Sequence, residues 1–226
     1  MKPIASPPRQ LALALDHAES FAREDFLSGP CNADALALIE SWPDWPANAI
    51  ALVGPEGAGK THLATIWAAE AGARVVSAHA LDEAALRPAL ATGALVVENT
   101  ADIADEHALF HLINMARGEN AYLLFTARTA PGAWPIVIPD VSSRLRAMPV
   151  VTLQAPDDAV LRAVIMKLGT DRQMGLKKDV VEYLETHIER SFAAARAAVI
   201  ALDREALRLG RAPSRALAAD LFRDAV

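Results

Sequence analysis

The stretch Gly54-Pro55-Glu56-Gly57-Ala58-Gly59-Lys60-Thr61 decides how the rest of the chain is read. It satisfies G-x-x-x-x-G-K-[ST] in full, behind the apolar run NAIALV (48–53) and ahead of the helix-like run THLATIWAAEAG (61–72). A strand before and a helix after are the context that a phosphate-binding loop requires. The glycines admit backbone conformations closed to residues with a Cβ, and turn successive N–H groups inward on an anion. The helix N-terminus adds partial positive charge. Lys60 then reaches the β-phosphate of ADP or the β- and γ-phosphates of ATP, and Thr61 offers its hydroxyl to Mg²⁺.

Outward from this loop, short apolar runs alternate with helix-length segments. RVVSA (74–78), GALVVEN (93–99), AYLLFTA (121–127) and PVVTL (149–153) read as further strands. DEHALFHLINMARGEN reads as a helix with Leu109, Leu112, Ile113 and Met115 on its apolar side. Such alternation predicts βαβ crossovers and a five-stranded parallel sheet flanked by helices, an α/β fold. Upstream, FLSGPCNADALALIESWP is a loop leading to a helix through about Ser41, with Asn32 or Asp34 placed to cap it. After Pro156 the strand signal ends and four helical segments follow. The parse is a tail over residues 1–18, a nucleotide-binding base domain over 19–155 and a small all-helical lid over 156–226.

Bulk composition narrows the function classes. At 226 residues, 53% hydrophobic and 22% charged, the chain has ample material for a buried core. No apolar run reaches the roughly 18 residues of a membrane span, and the start lacks a secretory pattern, so a cytoplasmic protein is expected. The single cysteine, Cys31, excludes an internal disulfide framework and reads as a small packing residue. A net charge of −6 argues against autonomous nucleic-acid binding, although RLRA carries Arg144 and Arg146 as a local basic spot. Trp42, Trp45, Trp67 and Trp134 form no evident stacking array in the sequence.

Hydrolysis needs an acidic residue at the end of a neighbouring strand. In ALVVEN that residue is Glu98, which can serve the Mg²⁺, and Asn99 stands where a carboxylate would polarise water. An amide takes no proton at neutral pH, so weak or partner-assisted turnover is expected.

Several stretches together resemble the replication initiator DnaA and its AAA+ relatives. GKTHL places His62 and Leu63 straight after the loop threonine. FLSGPCN is similar to the F-x-x-G-x-x-N run that covers the adenine side of that family's pocket, through Phe26, Gly29 and Asn32. YLLFTAR followed by Pro131 resembles the sensor 1 strand, with Thr126 as its polar residue and Ala127 in place of the frequent aspartate. PDVSSRL resembles the arginine-finger box, with Arg144 at the finger position. The run from Arg196 to Arg204 resembles the sensor 2 helix, with Arg196 directed at the nucleotide. The resemblance covers roughly residues 20 to 222 and no helix-turn-helix domain follows it, so recognition of origin DNA by that route is not expected.

Before this core stands QLALAL, with Gln10, Leu11, Leu13 and Leu15 in alternation. By residues alone it is an edge strand or a peptide for a partner. The resemblance is to the Hda type, DnaA homologues that inactivate the initiator. It implies that the peptide docks in the β sliding clamp, with Ala14 where proline is common. It further implies a resident nucleotide held mainly to fix lid against base, and Arg144 supplied in trans to ATP on DnaA. Implied partners are the clamp, DnaA and a second copy in a homodimer, with DNA reached only through the clamp at the replisome. The alternatives are a helicase-loader-like ATPase on single-stranded DNA, or a small-molecule kinase or GTPase; the latter leaves the sensor arginines and the tail unexplained.

Overall fold

The computed structural model describes residues 21–223. Gln10, Leu11, Leu13 and Leu15 lie outside the described residues. Five strands, β1 (Ala49–Val53), β2 (Arg74–Ser77), β3 (Ala94–Glu98), β4 (Tyr122–Ala127) and β5 (Val150–Thr152), form one parallel sheet in the order β2-β3-β4-β1-β5. Its three central strands are almost wholly buried while β2 and β5 are exposed edges. Burial on both faces is why the central strands read as continuous apolar runs rather than alternating ones.

Each sheet face has its own core. On one side α3 (Glu83–Leu90), α4 (Glu106–Glu119) and α5 (Pro139–Ala147) pack Leu86, Leu109, Leu112 and Leu145 over Leu95 and Phe125. On the other, α1 (Ala33–Glu40) and α2 (Lys60–Ala71) pack Ile39, Leu63 and Trp67 over Ile50, Leu52 and Val96. A third cluster belongs to α6 (Asp158–Asp171), α7 (Lys178–His187), α8 (Phe192–Leu209) and α9 (Arg215–Phe222), centred on Leu161, Val180, Leu184 and Leu202.

The helices start where their caps dictate. Asp105 accepts from the N–H groups of His107 and Ala108, Asp157 from Val160, and Ser191 from Ala194. Two helices escaped the sequence reading as helices. In α3, Pro88 sits inside an eight-residue element whose Asp82 cap outweighs it. In α5, Pro139 takes the first helical position, where its missing N–H costs nothing. Asn32 stands at the N-cap position of α1 but does not cap through its side chain. Its Oδ1 accepts from Gly29 N–H at 2.8 Å and its Nδ2 donates to Leu27 carbonyl at 3.0 Å, folding the preceding loop instead.

The tryptophans also differ from the sequence reading. Trp45 stacks on Trp67 at 4.8 Å between ring centres, and Trp42 and Trp45 both meet Tyr122 edge-on. This aromatic array is packed into the α1–α2 core, with Trp67 fully buried, and offers no open platform for bases. Cys31 is buried, and burial pushes its thiol pKa up, as a packing residue requires.

Candidate nucleotide site

The carboxyl ends of β1, β3 and β4 lie side by side, and the strand order reverses at β1. Open α/β sheets bind ligands at such a point. Gly54 to Gly59 leave β1 here and turn into α2. Gly57 has φ +71° and Gly59 φ +97°, both in the left-handed region. A Cβ on Gly57 would also come within 2.8 Å of the Ser191 side chain. The loop is thus a cradle built for backbone alone. Pro55 is exposed on its rim and Ala58 is buried beneath it.

Lys60 opens α2 and folds back over the loop, its Nζ donating to the carbonyls of Gly54 and Pro55 at 2.8 Å each. Burial pushes the ammonium pKa down, and Arg128 pushes it further, while Glu56 and Glu98 pull it back up. Glu98 at the end of β3 therefore lies within electrostatic reach of the loop lysine. Asn99 follows with φ 55°, and its N–H donates to Thr126 Oγ1 at 3.3 Å, tying the ends of β3 and β4 together.

A cleft of about 570 Å³ opens beside the loop. One wall carries Gly57, Gly59, Thr61 and His62, the other carries Val164, Lys167, Phe192 and Arg196 from α6 and α8, and the segment 21–27 crosses the mouth. The two walls touch where Phe192 N–H donates to the Gly57 carbonyl at 2.9 Å. The volume is that of a small-molecule site. Apolar contacts come from Phe26, which is 6% exposed and meets the His62 imidazole edge-on at 5.2 Å. Burial lowers the His62 pKa, so the ring is neutral at pH 7, and its Nε2–H donates to the Ala22 carbonyl at 3.0 Å.

The structure therefore brings Phe26, Gly57, Gly59, Thr61, His62 and Arg196 to one cleft, with Gly54, Pro55, Ala58 and Lys60 completing the loop. Glu98 and Thr126 lie at adjoining strand ends, and Asn32 shapes the loop behind Phe26. Arg144 stands apart on α5. Its guanidinium donates to Asn114 Oδ1 at 2.6 Å, pairs with Asp140 at 3.0 Å and lies 5.5 Å from the Phe110 ring centre. None of those three partners lines the cleft. Phe21, Asp25, Lys167, Arg172 and Phe192 line the cleft although no sequence motif marked them. Only Phe192 carried a signal, the Ser191 cap that fixes where α8 begins.

Among the described residues no three His, Cys, Asp or Glu groups converge to hold a metal by themselves. Mg²⁺ takes one or two protein oxygens, keeps waters and leans on phosphate oxygens. Of the two donors expected from the sequence, Thr61 lines the cleft and Glu98 ends β3.

The parallel order β2-β3-β4-β1-β5, the phosphate-loop motif at its centre and the helical unit against the loop give the chain the α/β fold of solved DnaA and RuvB structures. In sequence the chain is similar to the replication initiator DnaA. It is 29% identical to DnaA of Caulobacter vibrioides over a 214-residue alignment that takes in 80% of this chain and 43% of that protein. The chain thus spans less than half the length of the curated relatives it matches. Domain III of Thermotoga maritima DnaA superposes with a TM-score of 0.76 at 18% identity, covering 91% of this chain and 97% of that one. AMPPCP-bound DnaA from Aquifex aeolicus gives 0.68 at 19% identity, over 84% and 68%. The Thermotoga maritima RuvB branch-migration motor gives 0.71 at 16% identity, over 90% and 72%. No family model matches the chain. Among the described residues no helix is long and apolar enough to cross a membrane.

Proposed function

We propose that this protein is a negative regulator of replication initiation of the Hda type: it binds ADP or ATP with Mg²⁺ in the cleft, docks on the β sliding clamp through Gln10, Leu11, Leu13 and Leu15, and stimulates hydrolysis of ATP bound to DnaA. The supporting observation is the position of Arg144. It sits on α5, 31% exposed, with every named partner outside its own chain's cleft. An arginine so placed serves a nucleotide on another molecule, where it neutralises charge gathering on the γ-phosphoryl. The relatedness to DnaA supplies a partner whose own AAA+ module can pair with this one.

The same reading accounts for the strand end at Glu98-Asn99. Glu98 can share the metal, but Asn99 has no proton-accepting group, so the chain's own nucleotide is held rather than consumed. The resident nucleotide then joins the base over 19–155 to the lid over 156–226 and keeps the α5 face in register. The work is done in the cytoplasm at the replisome, with DNA reached through the clamp.

A helicase-loader-like ATPase on single-stranded DNA is the second reading, since one similar structure is a DnaA bound to AMPPCP and single-stranded DNA. The buried tryptophans and the net charge of −6 count against it. The test is retention of the full chain on immobilised sliding clamp. Wild type is expected to be retained and Gln10→Ala/Leu11→Ala to be lost. Equal retention of the two removes the clamp from the account, and DNA-stimulated turnover without clamp or DnaA favours the second reading.

A further inference from the structure

Residues 21–29 lie as a strap across the mouth of the cleft and touch both walls. On the phosphate-loop side, the Phe21 and Phe26 rings meet His62 edge-on at 5.3 and 5.2 Å, and Arg23 pairs with Glu40 of α1. On the helical side, Asp25 Oδ1 accepts from Lys167 Nζ of α6 at 2.5 Å, and the Arg196 guanidinium of α8 lies 5.6 Å from the Phe21 ring centre. Gly29 has no side chain where Val160 of α6 presses on it, so the strap's far end follows the lid closely.

The Lys167–Asp25 contact has the geometry of a latch. It joins positions 142 residues apart, and the two side chains are only 26% and 25% exposed. Salt screens such a half-buried pair less than it screens a surface pair. Lys167 is also bonded to Asp171 on its own helix at 3.0 Å, so the ammonium stays anchored to the lid and the Asp25 limb is the part that can open. Its hydrogen bond to Asp25 pushes the Lys167 pKa up, and the ammonium remains charged through neutral pH. A ligand in the cleft is bounded by strap, phosphate loop and helical wall.

Resting on the reading of this cleft as a nucleotide site, we propose that Lys167 and Asp25 are positioning residues that latch the strap to the helical lid and set the residence time of the bound nucleotide. They act through the wall formed by Phe21, Phe26 and His62, not on the reacting phosphates. The latch separates nucleotide exchange from nucleotide chemistry: opening it frees ligand without disturbing Lys60 or Thr61.

The measurement is stopped-flow release of fluorescently labelled ADP from the full chain. Lys167→Met and Asp25→Asn are each expected to speed release about tenfold with little change in association, because truncating one member of a half-buried, hydrogen-bonded charge pair acts on the off-rate. The double variant is expected to release no faster than the single ones, as shared partners are non-additive. Lys167→Arg keeps the charge and is expected to restore slow release, and added salt is expected to speed release from wild type more than from Lys167→Met. Unchanged release in both single variants, or effects that multiply in the double variant, overturn the latch. So does a lowered Tm of the nucleotide-free protein with release unaltered, the signature of a merely structural pair. Wild type that binds no labelled nucleotide at all instead sinks the reading of the cleft, and the latch with it.

Discussion

Lys60 in the cleft and Arg144 on α5 are two cations read as working on phosphate, and the chain holds them in opposite ways. Lys60 is half-buried and tied to two main-chain carbonyls of its own loop, Gly54 and Pro55. Arg144 is held by side chains, Asn114 and Asp140, over the Phe110 ring. Backbone partners are fixed by the fold, so Lys60 can answer only what enters its loop. Side-chain partners can be exchanged, so Arg144 can leave them for a phosphate brought by another molecule. On the proposed reading, the difference is that between a site that keeps a nucleotide and a separate face that acts on one held by another molecule.

The comparison breaks most sharply at Lys60. Lys60→Ala is expected to weaken ADP binding by at least about 30-fold, since losing one partner of a buried charge-assisted contact costs about 2 kcal/mol or more. Equilibrium titration with labelled ADP checks this. Affinity within a factor of two of wild type would separate the loop from the phosphates and remove the contrast altogether.

A smaller effect sharpens the cleft side. Burial, with Arg196 beside it, holds the His62 pKa below the ordinary 6.5, while the Ala22 carbonyl and Asp25 partly offset this. A histidine whose folded-state pKa is lowered takes up its proton more readily when unfolded. Its contribution to stability is full above pH 6.5 and is lost as the pH falls from there through the folded-state value. His62→Gln is expected to flatten the decline in Tm over that acidic window and to leave Tm at pH 8 nearly unchanged. An identical pH dependence in wild type and variant would contradict the buried, neutral imidazole.

Legibility in the sequence followed the physics of each element. The three central strands were readable because a parallel sheet covered on both faces needs unbroken apolar runs, and ALVVE and YLLFTA are such runs. The phosphate loop was readable because its function lies in the backbone, and backbone geometry demands glycine at fixed places. The helices α3 and α5 were obscured by Pro88 and Pro139, whose penalty is cancelled by a cap in one case and by an N-terminal position in the other. Asp25 and Lys167 were invisible for a different reason. Nothing local marks them, and a pair 142 residues apart exists only once the lid has folded against the strap. The tryptophans carried no clear pattern either, because Trp45 lies in the loop after α1 and meets Trp67 of α2 only in the folded core.

The central claim is that Arg144 works on a nucleotide held by another protein. The most direct measurement is single-turnover hydrolysis of radiolabelled ATP bound to DnaA, in the presence of DNA-loaded clamp and either wild type or Arg144→Ala. Wild type is expected to accelerate hydrolysis, and Arg144→Ala to lose that acceleration, by about 10³-fold or more if the arginine acts as a finger in trans. Arg144→Ala is at the same time expected to bind labelled ADP and clamp as wild type does. Undiminished stimulation by Arg144→Ala would contradict the account.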